Sequence, residues 1–362
     1  MLAEERREVL LRLIERRGAV KVKDVAEEMG VSAVTVRQDV RELAGRGLVV
    51  RVHGGAMSPS AAQAADAAGP TPRPARGQGN VFGLVVPPGS YYYPEIIRGV
   101  QDAARAQGVR IVLAVSGETP ADNQEQVRRL IAADVDGLLL MPRAGLEPMD
   151  LAEKWLAGLD VPVVLLDRRA GGQAGRLEQV ASDHAYGAGL AVRHLAERGH
   201  GRIALVARVE SPNTPLIREG YAAACRELRL PAGPEYGIEP ADGAAPAEWF
   251  EEFARAVEAG EVRAALVHND LDAVALVGFL QARDLRVPED LAIVTYDDEV
   301  AELSDVPLTA VAPPKRAVGA WAVDLLRRRI SDPAAPLAEL LLRPELHVRE
   351  SSGALPAPAG PA

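Results

Sequence analysis

The sequence is poor in cysteine, with Cys225 the only one in 362 residues. That excludes an intramolecular disulfide framework and a cysteine-built zinc site. Aromatic residues make up only 4%, so any cluster of them is worth noting. No window approaches the roughly 18 consecutive apolar residues of a membrane span. The first residues, MLAEERREVLLRLIERRG, carry charges of both signs and no apolar stretch of signal-peptide length. A cytoplasmic protein with no membrane partner is therefore expected. Catalytic signatures are lacking as well: there is no P-loop, no HExxH and no GxSxG. GAGLAV from Gly187 is a near miss for the dinucleotide fingerprint, with Val192 where the third Gly or Ala belongs. Nothing in the pattern supplies a nucleophile–base pair or a metal cage, so no enzyme activity, cofactor or metal is expected.

What is present is globular. Hydrophobic residues are 48% and charged residues 25%, and the length allows two or three domains at about 100–200 residues each. Met57 to Asn80, MSPSAAQAADAAGPTPRPARGQGN, has no apolar periodicity and reads as a linker. GALPAPAGPA closes the chain as a tail expected to be disordered. The net charge of −10 is unevenly shared: residues 1–57 carry +2 and the remainder −12. This is not a uniformly basic nucleic-acid coat.

In the head, Val9, Leu10, Leu13 and Ile14 repeat at helical spacing, and Gly18 stops that helix. Val20 and Val22 suit a short strand. Asp24 can cap a short helix, VAEEM, that ends at Gly30. VSAVTVRQDVRELAGRG then has Ser32 as N-cap, with Val34, Val40 and Leu43 able to face inward and Thr35, Arg37, Gln38 and Arg41 outward. Helix, tight turn and polar-faced helix make the helix-turn-helix pattern, in which side chains near the second helix's N-terminus reach base edges. Arg forks onto guanine, Gln onto adenine, and Ser or Thr holds phosphates. LVVRVHGGAM follows as a two-stranded wing carrying Arg51 and His53. A small helical docking domain is the plainer alternative.

From Val81 onward, apolar runs alternate with amphipathic helices. VFGLVV, VRIVLAV, VDGLLLM, VPVVLLD, RIALVA, RAALV and LAIVTY fit strands of parallel sheets buried on both faces. The repeated β-α crossover predicts a doubly wound α/β body, and more than six strands suggest two sheets. Ligands sit outside the carboxyl ends of such strands. Polar groups gather there: Ser90 with Tyr91, Tyr92 and Tyr93, then Asp167 and Arg168, Asn269 and Asp270, and Asp297 and Asp298, with Arg218 opening a later helix. Aromatic faces stack on sugar or base rings while Asp, Asn and Arg grip hydroxyls, which is the composition of a polar small-molecule pocket. Each member also has a structural reading: Asp270 and Asp298 as helix caps, Arg218 as an ion-pair partner, and His194 and His200 as packing groups.

Residues 5–57, and VSAVTVRQDVREL with RVHGGA above all, resemble the winged helix-turn-helix of the DeoR family. That family usually has Arg-Arg-Asp where this chain has Arg37-Gln38-Asp39, a departure that bears on base preference. Residues 81–350 resemble the effector domain of the LacI/GalR family, which has the periplasmic-binding-protein fold. The matching stretches include YYYPEIIRGVQDAARAQG, VPVVLLDRR, DHAYGAGLAVRHLAERGHGRIALV, PLIREGYAAAC and VHNDLDAVALVGFLQARDLRVPEDLAIVTYDD. The resemblance implies two lobes joined by three crossovers, the first of about 81–180 plus 311–331 and the second of about 181–310 plus 340–350, with LLRPELHVRES a last strand returning to the second. It assigns effector contacts to the Tyr91–Tyr93 loop, Asp167, Arg218, Asn269 and Asp297. The implied function is a ligand-responsive transcriptional repressor. It would be a homodimer binding double-stranded operator DNA and a sugar-like or nucleoside-like effector. The alternatives are a sugar-binding protein of a transport or sensing system and a transcriptional activator. The expected division is thus a head at 1–57, a linker at 58–80, a sensing body at 81–350 and a tail at 351–362.

Overall fold

The computed structural model describes residues 6–7, 9–11, 13–14, 19–21, 25–26, 29, 31, 33–45, 48–52, 55–57, 79–87, 91–117, 119–141, 155–167, 177–238 and 248–353. The chain divides into two compact units, Met1–Gly77 and Gln78–Ala362. The expected linker falls outside the described residues up to 78.

In the first unit, residues 6–7, 9–11, 13–14, 25–26 and 29 are helical. They are followed by helix α1 (Ala33–Gly45). Three short strands, β1 (Ala19–Lys21), β2 (Val50–Val52) and β3 (Gly55–Met57), form a sheet with β3 in the middle, antiparallel to both neighbours. Leu10, Ile14, Val25, Ala26, Val36, Val40, Leu43 and Val49 form the core. Val36, Val40 and Leu43 recur at i, i+4 and i+7, which places them on one face of α1. Val36 was not among the inward positions expected from the sequence; the side chain of Val34, which was, lies outside the described residues. Asp39 is 2% exposed and accepts hydrogen bonds from Arg6 Nε (2.5 Å), Arg6 Nη2 (3.1 Å) and Arg7 Nε (3.3 Å), so it ties α1 to the first helical segment.

The second unit contains two six-stranded sheets. The first holds β4 (Val81–Val86), β5 (Arg110–Val115), β6 (Gly137–Leu140), β7 (Val163–Leu166), β8 (Glu178–Ser182) and β14 (Glu339–Leu342), in the order β14-β8-β7-β6-β4-β5 and all parallel. The second holds β9 (Ala204–Arg208), β10 (Glu235–Ile238), β11 (Ala264–His268), β12 (Ala292–Tyr296), β13 (Thr309–Ala312) and β15 (Glu345–His347), in the order β10-β9-β11-β12-β13-β15. Only β15 runs antiparallel there, against β13. The central strands are buried along their whole length, as their Val, Leu and Ile runs require.

Among the described residues the second unit has seven α-helices: α2 (Tyr93–Ala106), α3 (Pro120–Ala132), α4 (His184–Glu197), α5 (Thr214–Glu227), α6 (Glu248–Glu258), α7 (Asp270–Gln281) and α8 (Lys315–Ser331). Helices α2 and α8 pack together on the first sheet, and α4 and α5 on the second. Glycine permits the α2–α8 approach: a Cβ on Gly99 would run into the carbonyl oxygen of Arg316. The aromatic face of α6, Trp249 with Phe253 and Val257, closes the core of the second lobe.

Two expectations are corrected here. The stretch LLRPELHVRES is not one strand: it breaks at Arg343–Pro344, leaving Leu341 and Leu342 on β14 of the first sheet while β15 joins the second. Residues 351–352 are not part of a disordered tail. Ser351 and Ser352 are buried, with Ser351 Oγ donating to the Ile293 carbonyl at 2.7 Å and Ser352 Oγ 2.8 Å from Thr309 Oγ1. The chain crosses between sheets three times, at Asp183, at Pro313–Pro314 and at Arg343–Pro344.

Candidate functional site

Both sheets reverse their direction of winding once. In the first the switch falls between β4 and β6, and in the second between β9 and β11. Such a switch splays the following loops apart and leaves a crevice at the strands' carboxyl ends. A cavity of about 200 Å³ lies where these ends meet, lined by Tyr91, Tyr92, Tyr93 and Asp167 from the first lobe and by Arg208, His268, Asn269 and Asp297 from the second, with Ser211–Asn213 at its rim.

The first-lobe wall is phenolic. Pro94 in the first turn of α2 fixes the entry of the helix, and the Tyr91–Tyr93 run sits just ahead of it. Tyr92 donates to Asp167 Oδ1 at 3.2 Å, and its ring meets that of Tyr93 edge-on at 5.8 Å. The Tyr91 hydroxyl reaches across to the second lobe, donating to the carboxylate of Asp270 and lying 3.5 Å from Asp297. Desolvation and the Asp297 and Asp270 charges push the Tyr91 phenol far above its ordinary value, so it stays a donor.

The second-lobe wall sets carboxylate and amide groups beside the Arg208 guanidinium. The parallel register of β11 on β12 sets Val267 beside Thr295, and so brings Asn269 next to Asp297 two residues on. Asp297 is 4% exposed, and its Oδ1 has no hydrogen-bond partner among the described residues. Burial is the main cause that raises its carboxyl to about 7, with Asp270, Asp167 and Glu299 adding to the shift and Lys315 opposing it. His268 is 3% exposed with an unpartnered Nδ1; burial, then the nearby Arg208 charge, lowers it to about 3, so the ring is neutral. Arg208 ends β9 and makes a two-pronged ion pair with Asp272, at 2.6 and 2.8 Å. Asp167 and Asp297 both have left-handed backbones, φ 52° and 87°. Asp tolerates that region better than most residues, and held strain of this kind gathers at functional sites.

The structure thus gathers Tyr91, Tyr92, Tyr93, Asp167, Asn269 and Asp297 around one cavity. It does not bring Arg218 there. Thr214, Ile217 and Tyr221 take the inward face of α5, which turns Arg218 outward to an exposed ion pair with Glu235. Asp270 is structural as well as near the site: fully buried, it accepts from the backbone N–H groups of Glu299 (2.6 Å), Val300 (2.7 Å) and Ala301 (3.1 Å). Asp298 pairs with Arg349 and His347. His194 packs, sharing a 2.8 Å hydrogen bond with Ser352. Ser90 and Arg168 lie outside the described residues. Sequence reasoning missed Arg208 and His268, although their places at the ends of β9 and β11 were a usable signal.

In the head, Thr35 is half-buried and Gln38 exposed on α1. Arg37 and Arg41 lie on the same helix and Arg51 on β2, with their side chains outside the described residues, as are Ser32 and His53 altogether.

A DeoR-like helix-turn-helix domain model matches residues 6–62, and a periplasmic binding protein-like domain model matches residues 192–352. The HTH-type transcriptional repressor PurR of Aliivibrio fischeri (strain ATCC 700601 / ES114) is 30% identical over 268 residues, 72% of this chain and 77% of that protein. The chain belongs to the LacI/GalR family of transcription regulators. The arabinose metabolism transcriptional repressor of Geobacillus stearothermophilus is 26% identical over 340 residues, 91% of this chain and 90% of that one. A solved complex of the transcriptional regulator CelR with cellobiose is similar at 26% identity and a TM-score of 0.63, covering 92% of this chain and 99% of that one. The head of this LacI/GalR-family protein is of the DeoR-like type, as its residues suggested. The relatives are regulators of transcription, not enzymes. Among the described residues no helix is long and apolar enough to cross a membrane, and no group of three or more His, Cys, Asp or Glu could hold a metal ion.

Proposed function

We propose that this protein is a cytoplasmic, homodimeric transcriptional repressor whose grip on operator DNA is relieved by a small sugar held between the lobes. The observation that carries the sensor reading is the interlobe cavity, where both winding reversals converge and a carboxylate oxygen of Asp297 and a ring nitrogen of His268 are buried without partners among the described residues. Sugar hydroxyls, which both donate and accept, match such groups, and tyrosine faces suit sugar rings. Of the charged groups lining the cavity, Asp167 and Asp297 outnumber Arg208, and His268 is uncharged. Carboxylated or phosphorylated ligands are therefore disfavoured. About 200 Å³ is below the roughly 300–1,000 Å³ of drug-sized pockets and suits a single ring.

The reading for the head is that Ser32, Thr35, Arg37, Gln38, Arg41, Arg51 and His53 meet DNA, the helix residues in the major groove and the wing residues beside it. Two heads of a symmetric dimer would read inverted half-sites. Sugar binding alters DNA affinity only if it discriminates between lobe arrangements; coupling of about 1–3 kcal/mol gives about 5- to 150-fold.

The test is selection of DNA fragments retained by the full chain, with and without arabinose, ribose, xylose, glucose or galactose. Inverted-repeat fragments should be enriched and released by at least one sugar. Arg37→Ala should weaken retention about 5- to 150-fold, while retention by the unaltered chain falls steeply with salt. Retention without sequence preference overturns the repressor reading.

A further inference from the structure

Lys315 is the first residue of α8, directly after the Pro313–Pro314 crossover, and is only 7% exposed. No local rule selects lysine there. A cation in the first turn opposes the positive end of the helix, and a buried ammonium needs partners. Its partners come from both lobes. The ammonium lies 5.0 Å from the centroid of the Tyr92 ring in the first lobe. It donates to the main-chain carbonyl of Asp297 and to the carboxylate of Glu299, both in the second. Because α8 packs on α2 and on β6, β7 and β8, the ammonium is a first-lobe group gripping a second-lobe loop.

That loop is held twice more. Asp270 accepts the N–H groups of residues 299–301 and receives the hydroxyl of Tyr91 from the first lobe. Asp297, left-handed at φ 87°, stands between the Tyr91 and Lys315 contacts with its carboxylate on the cavity. Moving the lobes apart stretches Lys315 away from Asp297 and Glu299 while leaving it over Tyr92.

We propose that Lys315 is the positioning residue of the cleft: through Glu299 and the main chain of Asp297 it clasps the second-lobe wall to the first lobe, so that the lobe angle and the placement of Asp297 change together. Lys315 does not line the cavity; it acts through Asp297. The regulatory meaning rests on the sensor reading above, but the clasp can be tested without ligand or DNA.

Nitroxide labels on Asp102→Cys of α2 and Glu219→Cys of α5, both exposed positions, report lobe separation by pulsed electron resonance in the full chain, with Cys225→Ala as background. The expected parent distribution has one short population. Lys315→Met should move it to longer distance and broaden it. Lys315→Arg should restore the short population, and Glu299→Gln should reproduce part of the shift. The double variant Lys315→Met with Glu299→Gln should go no further than Lys315→Met alone. A folded Lys315→Met with the parent distribution overturns the proposal. So does an equal shift in Arg329→Met, which touches none of these groups and would mark general loosening. If Lys315→Met does not fold, Glu299→Gln decides: an unchanged distribution overturns. A clasp found in a protein that binds no sugar removes the sensor reading and leaves the clasp standing.

Discussion

The body contains a second cavity, and setting it beside the interlobe one shows what makes a site. It lies at the opposite, amino-terminal ends of β7 and β8, holds about 240 Å³ and is lined by Leu156, Val161, Leu177, Glu178 and Arg329 among others. It is of similar size to the interlobe one, yet the polar groups of its ion pair are satisfied. Arg329 gives Nε and Nη2 to Glu178 at 2.9 and 3.0 Å, and also reaches the carbonyls of Pro333, Ala335 and Pro336. The interlobe cavity keeps buried acceptors with capacity to spare. Volume is common in a protein; unmet hydrogen-bonding capacity in a buried wall is rare and calls for a partner.

The largest effect is expected of Arg329→Met. It leaves Glu178, 3% exposed, without its cation and should cost on the order of 3–5 kcal/mol of stability. Chemical denaturation reads the loss, and sugar affinity of the folded fraction should not move. A matching loss of affinity would show that the two cavities are not independent. Asp297→Asn should do the reverse. Replacing a charged acceptor removes about 1.5–3 kcal/mol per ligand hydrogen bond, roughly 10- to 150-fold in affinity by calorimetry.

The same variant carries a pH signature. Asp297 titrates near 7 in the fold and near 3.9 unfolded. Between those values the folded chain holds more protons than the unfolded one, so ligand-free stability falls as pH rises through that window. The fall is on the order of a few kcal/mol and complete above about 7. Asp297→Asn should flatten that slope and melt higher than the parent at pH 8; parallel slopes would refute the buried-charge assignment. His268 acts with opposite sign. It stays neutral down to about 3 in the fold, so stability is lost as pH falls below about 6.5, where the unfolded histidine gains a proton. His268→Gln should remove that acid-side loss. The smallest effect belongs to Arg218→Ala. Its pair with Glu235 is exposed on both sides, so about 0–1 kcal/mol of stability and no sugar affinity should be lost.

Much of this architecture could be read from residue order. VFGLVV, VPVVLLD and LAIVTY announce buried parallel strands because no charge and at most one hydroxyl interrupts their apolar runs. β8 escaped for the opposite reason: Glu178, Gln179 and Ser182 look like surface, and only Arg329, 151 residues away, makes Glu178 a buried residue. β10 escaped because it is an edge strand with a mostly uncovered face. α6 was legible and overlooked, since Trp249, Phe253 and Val257 recur every four residues. In the cavity, Tyr91–Tyr93, Asp167, Asn269 and Asp297 were found because strand ends are where such folds place ligands. Arg218 was grouped with the strand-end polar residues and kept there by family resemblance, but the helical phase set by Ile217 and Tyr221 turns it outward. The left-handed backbones of Asp167 and Asp297 leave no trace in composition.

The three passages between the lobes are one, two and two residues long: Asp183, Pro313–Pro314 and Arg343–Pro344. Three such stubs side by side act as a leaf spring. Flexing about one axis is soft, while shearing or twisting would require all three to stretch. Any movement of the two halves would thereby be funnelled into a single coordinate, whose extent but not direction a molecule seated between them would set.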